Sequence, residues 1–187
     1  IANGYVSHNS TIVRLIILYW SFMHEGLRVA LVYDTDSNKH DARAEIQGVL
    51  ARLPDTHNIP IKKGGDNREF LELANGSRIS YFVAGIKKTR GSSGLGRSRG
   101  INVAGCTEMS SWGDIEGLRA FERSLSDIFP NRLYIWESTA RGFVNVFHDI
   151  WTEAQDDDLT KKAIFIGWWG KETYAFKRGT AMFERYG

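Results

Sequence analysis

The sequence predicts an α/β fold in which a mostly parallel β-sheet is sandwiched between helices. Short β-branched, apolar runs alternate with longer segments of helical periodicity, which is the pattern of strand–helix–strand units. The clearest run, "RVALVYD" at residues 28–34, is apolar at both odd and even positions, as a strand buried on both faces should be. The 187 residues contain no internal repeat and no linker long enough to separate two domains, so we expect a single domain.

The first predicted helix starts at Ile12, after the polar segment "SHNST" at residues 7–11. It is apolar around nearly all of its circumference, which predicts burial. The apolar run covers residues 12–23, well short of the ~20 residues that a membrane span needs, so we expect no membrane anchor. After the strand at 28–34, Asp36 or Ser37 is expected to cap a second helix that extends to about Leu53.

A β-hairpin is predicted at residues 69–85, because Asn75-Gly76 lies between two alternating runs and supplies the residues that a tight turn requires. We expect this hairpin to be an insertion into the alternating plan. The glycine- and serine-rich segment at 87–100 is too polar for a core and is predicted to be a surface loop.

Three further strands are predicted, at residues 101–108, 132–139 and 162–169. The helix between the first two has apolar residues at steps of three or four and ends before Pro130: Ile115, Leu118, Phe121, Leu125 and Ile128. The helix between the second and third has a full apolar stripe: Phe143, Val146, Phe147, Ile150, Trp151 and Ala154.

Composition and charge set limits on function. The 24 Lys and Arg residues nearly balance 22 Asp and Glu, so any nucleic-acid partner must be recognised by a local cluster rather than by global charge. The single cysteine, Cys106, excludes an internal disulfide framework and fits a reducing compartment such as the cytoplasm. The chain begins with Ile and shows no signal-peptide pattern, which leaves open that it is a piece of a longer protein.

Polar residues follow two of the predicted strands directly, at 106–108 and at 137–139. In an open parallel sheet the ligand crevice lies outside the carboxyl ends of the strands, so these positions are where chemistry is expected. From spacing alone, helix caps and turn-forming residues explain them equally well.

Two longer segments carry a family resemblance. The first segment is "GLGRSRGINVAGCTEMSSWGD", and the second is "YIWESTARGFVNVFHDIWTEA", which is followed by "FIGWW". They resemble the ATPase domain of the large terminase subunit of tailed bacteriophages. The resemblance covers nearly the whole chain and implies a P-loop NTPase fold of the RecA-like ASCE class across residues 1–187. From the resemblance we expect this chain to lack the family's C-terminal nuclease, residues 170–187 to form a tail or linker toward it, and the chain to show no nuclease activity.

The resemblance implies roles for the two polar strand ends. Glu108 would be the catalytic carboxylate that orients and partly deprotonates the water attacking the γ-phosphate of ATP. Ser138, Thr139 and Ala140 would form the coupling motif that senses the γ-phosphate. Thr107 stands where the family usually has an aspartate beside Mg²⁺, so this side of the metal site offers only a neutral hydroxyl. The alternative interpretation makes Glu108, Ser138 and Thr139 ordinary helix-capping residues.

Residues 77–107 contain no acidic residue and form the strongest local charge imbalance in the chain. The basic residues of this segment are Arg78, Lys87, Lys88, Arg90, Arg97 and Arg99. Such a segment suits phosphates of DNA or of a nucleotide. The resemblance makes Arg97, or failing that Arg99, a candidate arginine finger for the neighbouring subunit, with Lys87, Lys88, Arg90 and Arg99 as DNA-contact or trans-finger candidates. A plain solvated loop is equally compatible with the pattern.

The phosphate loop of the family would fall on five residues before the first helix: Ser7, His8, Asn9, Ser10 and Thr11. The lysine of the general pattern G-x-x-x-x-G-K-S/T is absent, because Asn9 occupies its place, although Gly4 is suitably placed. Backbone amides at the helix N-terminus can still bind phosphate, and the Ser10 hydroxyl can still ligate Mg²⁺. Taken alone, "SHNST" is typical of an ordinary helix cap.

The predicted function is therefore that of a viral DNA-packaging motor in the host cytoplasm, which hydrolyses ATP with Mg²⁺ to drive double-stranded DNA into a procapsid. The resemblance implies a ring of identical subunits on a portal and a small terminase subunit as partner. The principal alternative is a non-hydrolysing DNA-binding or assembly module on the same fold, which the missing lysine and Thr107 would favour. Another P-loop motor, such as a helicase, is a weaker alternative.

Overall fold

The structure, a computed structural model, describes residues 2–3, 9–84, 100–113, 115–157, 160–166 and 184. Nine strands are assigned in these ranges: β1 (Ala2–Asn3), β2 (Arg28–Tyr33), β3 (Ile61–Asp66), β4 (Phe70–Leu73), β5 (Arg78–Val83), β6 (Val103–Cys106), β7 (Leu133–Trp136), β8 (Ser138–Thr139) and β9 (Phe165–Ile166). The α-helices are α1 (Asn9–Met23), α2 (Asp36–Leu50), α3 (Ile115–Glu122) and α4 (Val146–Asp156), with a 3-10 turn at Met109–Ser111.

The sheet is mainly parallel, as predicted. Six strands are ordered β3-β4-β5-β2-β6-β7, and all pairs from β5 to β7 are parallel. A second, three-stranded sheet is ordered β8-β1-β9 and is also parallel. Only Glu137 separates β7 from β8, so one continuous segment passes from the first sheet into the second. The strand that precedes α1 therefore lies beside the segment that carries Ser138 and Thr139.

Helices cover both faces of the sheet, and alternate residues of β2 point to two different cores. Val29, Leu31 and Tyr33 pack with side chains of α1 and α2. Ala30 and Val32 pack on the other face with side chains of α3 and α4. The two-sided burial explains why this strand reads as a continuous apolar run rather than an alternating one.

The first helix differs from its prediction in burial. Val13 and Ile17 are buried against the sheet, but five large apolar side chains of α1 are exposed: Ile12, Leu15, Ile16, Tyr19 and Met23. The expectation of a fully buried helix is thus wrong for the part of the chain that the structure describes. An apolar circumference reveals that a helix can be buried, yet only tertiary contacts decide how many of its faces are covered. Across the described residues, no helix is long and apolar enough to cross a membrane.

Thr35 caps α2, in place of the predicted Asp36 or Ser37. Its backbone is extended and its side chain accepts a hydrogen bond from the Asn38 amide at 3.2 Å. Asp36 is instead the first helical residue, where its carboxylate lies favourably at the positive end of the helix dipole. The helix ends at Leu50, short of the predicted Leu53.

The predicted hairpin exists, with Gly76 at φ 81° in its turn and β4 antiparallel to β5. It is not an insertion, however, because β5 pairs in parallel with β2 along its full length, from Arg28 opposite Arg78 to Tyr33 opposite Val83. The antiparallel additions are β4 and β3, and β3 was not predicted. Its sequence, "IKKGGD", is rich in lysine and glycine, which are depleted in strands.

The later helices are shorter than predicted. The α3 helix ends at Glu122 rather than near Pro130; Leu125 forms a parallel bridge with Ile101, and Ile128 is 93% exposed. The α4 helix begins after Asn145, whose side chain accepts from the His148 amide at 3.0 Å, and Phe143 lies outside it.

Two segments near the C-terminus were over-assigned as strands. The predicted strand at 132–139 is interrupted at Glu137. Of the predicted strand at 162–169, residues 162–164 are not in regular structure and Phe165–Ile166 are; residues 167–169 and most of the predicted 170–187 tail lie outside the described residues.

Gly105 sets how closely α1 approaches the sheet. A Cβ atom at this position would lie 2.5 Å from Cδ1 of Ile17 and 3.0 Å from Cδ2 of Leu31. Both neighbours are almost completely buried, so neither can move freely. The absence of a side chain at Gly105 therefore fixes the position of α1 over β6.

We predict that Gly105→Ala destabilises the fold by about 1–3 kcal/mol, because the added methyl group overpacks this contact. Gly48→Ala on α2 is the matched control: its new Cβ would meet nothing within 4 Å, so a gain of about 0.5–1 kcal/mol is expected from helix propensity. Urea unfolding of the two variants measures both effects. Equal stability of Gly105→Ala and the parent chain would contradict the close packing of α1 on β6.

Candidate active site

The candidate site lies at the carboxyl ends of β6 and β7, beside the first turn of α1. Thr107 and Glu108 follow β6, and Glu137 follows β7. The two strands are parallel, with Cys106 opposite Trp136, so both ends emerge at the same edge of the sheet. Ser10 is in the first turn of α1, and its hydroxyl donates a hydrogen bond to Oε2 of Glu137 at 2.9 Å. Three elements thus converge on one small region.

Glu108 has a strained backbone. Its φ of 52° and ψ of 38° are left-handed, and it is the one non-glycine residue with positive φ among those that the structure describes. Side chains rarely adopt this conformation, which costs about 1–3 kcal/mol and is found preferentially at functional sites. The conformation turns the chain from β6 directly into the 3-10 turn at Met109–Ser111.

Two groups contact the Glu108 carboxylate. The Thr139 hydroxyl donates to Oε2 of Glu108 at 3.0 Å, and the Arg141 guanidinium lies 3.7 Å from the same oxygen. The Glu108 side chain is 28% exposed, so its carboxylate is held in place and is still reachable from solvent. A carboxylate held in this way is suited to orienting a water molecule.

Hydrogen bonds of Ser138 and Thr139 join β8 to the 3-10 turn that follows Glu108. Ser138 is fully buried, and its hydroxyl donates to Oγ of Ser110 at 2.7 Å and accepts from the Ser110 amide at 2.9 Å. The Ser110 hydroxyl in turn donates to the Thr139 carbonyl at 2.9 Å. Any shift of β8 must therefore move the turn that contains Glu108. Neither residue caps the following helix, because Asn145 does so.

Glu137 is 2% exposed and is the most deeply buried carboxylate of the site. Burial raises the pKa of the Glu137 carboxyl, and the nearby negative charge of Glu108 raises it further. The hydrogen bond from Ser10 and the positive charge of Arg14 act in the opposite direction. Arg14 forms an ion pair with Glu45 and also donates to Oγ1 of Thr11 at 3.2 Å.

Comparisons with known proteins find similarity in structure but not in sequence. No protein-family model matches the chain, and no curated protein matches it significantly. Among solved structures, the large terminase of a thermophilic bacteriophage superposes with a TM-score of 0.61 at 11% identity over 82% of this chain. The ATPase domain of the Thermus phage P74-26 large terminase gives a TM-score of 0.60 at 14% identity over 80% of this chain.

The chain has the fold of a large terminase ATPase domain. A point mutant of the Thermus phage domain gives the same result, with a TM-score of 0.59 at 13% identity. The chain spans 36% of the length of the first of these structures and 62% of the second.

On this terminase fold, the residues predicted for phosphate binding are only partly described. Asn9 begins α1, and Ser10 and Thr11 are in its first turn, while Ser7 and His8 lie outside the described residues. Thr107 is 4% exposed; its amide donates to the Val32 carbonyl and its carbonyl accepts from Nε1 of Trp112. Ala140 follows β8 and is exposed. The predicted basic contacts also lie outside the described residues: Lys87, Lys88, Arg90, Arg97 and Arg99.

Sequence reasoning overlooked two residues of this candidate site. Glu137 was noted as a polar strand end and was given no role, although an acidic residue directly after the apolar "LYIW" is the signal that marks it. Arg141 follows Ala140 immediately and reaches Glu108, so a basic residue next to the coupling segment was the available signal. The residues of each contact are far apart in the chain, so their spacing in the sequence does not reveal that they meet in the fold.

The strain at residue 108 gives a prediction about stability. Glu108→Gly should be about 1 kcal/mol more stable than Glu108→Ala, because glycine adopts positive φ without steric cost. Both substitutions remove the carboxylate, so their difference isolates the backbone. The control is Ala51→Gly at φ −66°, where glycine should instead lower stability. Thermal unfolding compares all three; an Ala variant at least as stable as the Gly variant at 108 would refute the left-handed conformation.

Proposed function

We propose that this chain is the ATPase motor domain of a viral large terminase, which hydrolyses ATP with Mg²⁺ to drive double-stranded DNA into a procapsid. The observation that carries the proposal is the placement of Glu108. Its carboxylate is held by Thr139 at the end of β6, and its strained backbone is of the kind found preferentially at functional sites. The fold shared with large terminase ATPase domains supports the same conclusion.

Phosphate binding is assigned to the N-terminus of α1. The first amides of a helix lack intrahelical partners and carry partial positive charge, so they bind phosphate oxygens even without a lysine. No acidic residue is present in the first turn of α1 to compete with a phosphate group. The charge that the missing lysine would provide is assigned to the basic segment, with Arg97 or Arg99 reaching the nucleotide of the next subunit.

The side chains around α1 fit a magnesium ion. Because Ser10 donates its proton to Glu137, the lone pairs of its oxygen remain available for a cation. Among the described residues, no group of three or more Asp, Glu, His or Cys side chains could hold a metal by itself, so phosphate oxygens would complete the ligand set with Ser10. When bound, Mg²⁺ would neutralise charge on the transferred phosphoryl group.

The reaction assigns a separate task to each remaining residue. Glu108 accepts a hydrogen bond from the attacking water and takes up its proton as the bond from the water oxygen to the γ-phosphorus forms; the bond from the γ-phosphorus to the bridging oxygen breaks, and ADP and phosphate leave. Thr139 holds the Glu108 carboxylate in a fixed position relative to β8, and Ser138 links β8 to the turn after Glu108 through a hydrogen bond. The same contacts provide a route by which the presence of the γ-phosphate moves β8, as the coupling role requires.

The wider assembly follows from the same proposal. Terminase motors act as rings, so we propose a homo-oligomer on a portal, a small terminase subunit as partner, and the host cytoplasm as location. Double-stranded DNA would be contacted by the basic segment through Lys87, Lys88 and Arg90. A non-hydrolysing assembly module on the same fold is the alternative that the first experiment tests.

Glu108→Gln should lower single-turnover ATP hydrolysis by about 10²–10⁴-fold, because the amide cannot accept the proton of the attacking water. Nucleotide affinity should change little, since the amide keeps the size of the side chain. Measurements are made at high protein concentration with double-stranded DNA, so that neighbouring subunits can complete each site. Glu72→Gln on β4, three strands from β6, is the matched control and should keep full activity.

Two results would reject the motor assignment. The first is hydrolysis at equal rates in the parent chain and in Glu108→Gln. The second is no hydrolysis in either protein, which would favour the non-hydrolysing module.

Asn9→Lys should tighten ADP binding, because it restores a positive charge at the first residue of α1, where phosphate is expected. An increase of about tenfold is expected, the equivalent of about 1.4 kcal/mol. Isothermal titration calorimetry measures the change, with Asn38→Lys in α2 as a control for added charge elsewhere. Unchanged affinity in Asn9→Lys would count against phosphate binding by residues 7–11.

A further inference from the structure

Glu137 is a buried carboxylate that accepts a hydrogen bond from the Ser10 hydroxyl. It is 2% exposed, and none of the ion pairs formed by the described residues includes it. Arg14, whose positive charge acts on Glu137, forms its ion pair with Glu45. Glu108 is close enough to repel it. Glu108 has Arg141 as a cationic partner, whereas Glu137 forms no ion pair among the described residues, and a buried carboxylate of this kind favours a cation nearby.

The Ser10 hydroxyl connects this carboxylate to the nucleotide region. A hydroxyl group has one proton and two lone pairs. Because the proton is directed to Glu137 at 2.9 Å, the lone pairs point elsewhere and the hydroxyl is fixed in one orientation. A metal ligand that donates a hydrogen bond to a nearby carboxylate is held in a defined orientation and binds the metal more tightly.

Residue 107 does not provide a negative charge for the metal site. Gly105 faces α1, and residue 107 is two positions further along the same strand direction, so it shares that face. Cys106 is opposite Trp136 in the last pair of the two strands, and Thr107 and Glu137 are the residues that directly follow this pair. The side chain at 107 is a neutral threonine, whereas its neighbour on the adjacent segment is an acid.

We infer that Glu137 is a positioning residue for the magnesium ion, which orients Ser10 as a ligand and supplies the negative charge that Thr107 lacks. The inference rests on the proposed function, since it requires a nucleotide and Mg²⁺ at the N-terminus of α1. It assigns the acidic partner of the metal site to the segment after β7 rather than to the end of β6. It also gives Glu137 a role other than that of a structural buried group.

Glu137→Gln tests the inference, because glutamine has the same size and its carbonyl oxygen still accepts the Ser10 hydrogen bond while the charge is removed. Binding of ADP is measured by calorimetry in Mg²⁺ and again in EDTA. In the parent chain Mg²⁺ should tighten binding. In Glu137→Gln the affinity in Mg²⁺ should fall about 10–100-fold, with the affinity in EDTA not reduced.

A direct metal readout accompanies the nucleotide titration. Mn²⁺ binding to the ADP complex, followed by electron paramagnetic resonance, should weaken in Glu137→Gln by the same factor. Glu72→Gln is the matched control, because it removes a carboxylate from β4 without approaching the site, and it should leave both affinities unchanged. Thermal unfolding of each variant reports whether the fold is retained.

Charge rescue separates a positioning role from a structural one. The double variant Glu137→Gln with Thr107→Asp moves the carboxylate from the residue after β7 to the residue after β6 and should regain part of the Mg²⁺-dependent affinity. A loss of affinity in EDTA as large as that in Mg²⁺ would overturn the inference, because it would indicate a structural role.

Two other results would also overturn it: full Mg²⁺ dependence in Glu137→Gln, and no recovery in the double variant. Failure of the parent chain to bind ADP in either condition would overturn the proposed function itself, and with it this inference. That outcome is distinguishable from the others because it appears without any substitution.

Discussion

The parallel pairing of β6 with β7 is the constraint on which the site depends. Because the two strands run in the same direction with Cys106 opposite Trp136, Glu108 and Glu137 emerge at one edge of the sheet although they are distant in the chain. Gly105 then allows α1 to lie directly against β6, which brings Ser10 to within hydrogen-bond distance of Glu137. The pairing of the strands and the absence of a side chain at Gly105 thus place Glu108, Glu137 and Ser10 close together. This placement does not depend on the hydrogen bonds that these side chains form.

That arrangement brings together several contributions that lower the stability of the fold. A buried carboxylate, a second carboxylate beside it and a left-handed glutamate each oppose folding, and the hydrophobic cores on the two faces of the sheet must offset them. Packing on both faces is extensive around β2, which is almost completely buried after its first residue. The buried central strand is a rigid scaffold for the candidate site at the edge of the sheet.

Sequence patterns predicted the parallel architecture and most element types because β2 and β6 are continuous apolar runs and α4 has an apolar stripe of helical period. They misplaced boundaries where a single side chain decides, as with the Thr35 cap of α2 and the end of α3 before Leu125. They did not show that β5 joins β2, since a hairpin turn says nothing about the other edge of its strand. In the site, strand ends marked Glu108 and Ser138, whereas the contacts of Glu137 with Ser10 and of Arg141 with Glu108 exist only after folding.

The left-handed backbone of Glu108 has an evolutionary consequence. Folding alone would favour glycine or asparagine at that position, so substitutions that improve stability and substitutions that abolish the carboxylate are largely the same substitutions. Under the proposed function, a lineage that no longer hydrolysed ATP would therefore lose this carboxylate quickly, through substitutions to the more stable residue. Glutamate at residue 108 is what selection for chemistry, acting against selection for folding, would maintain.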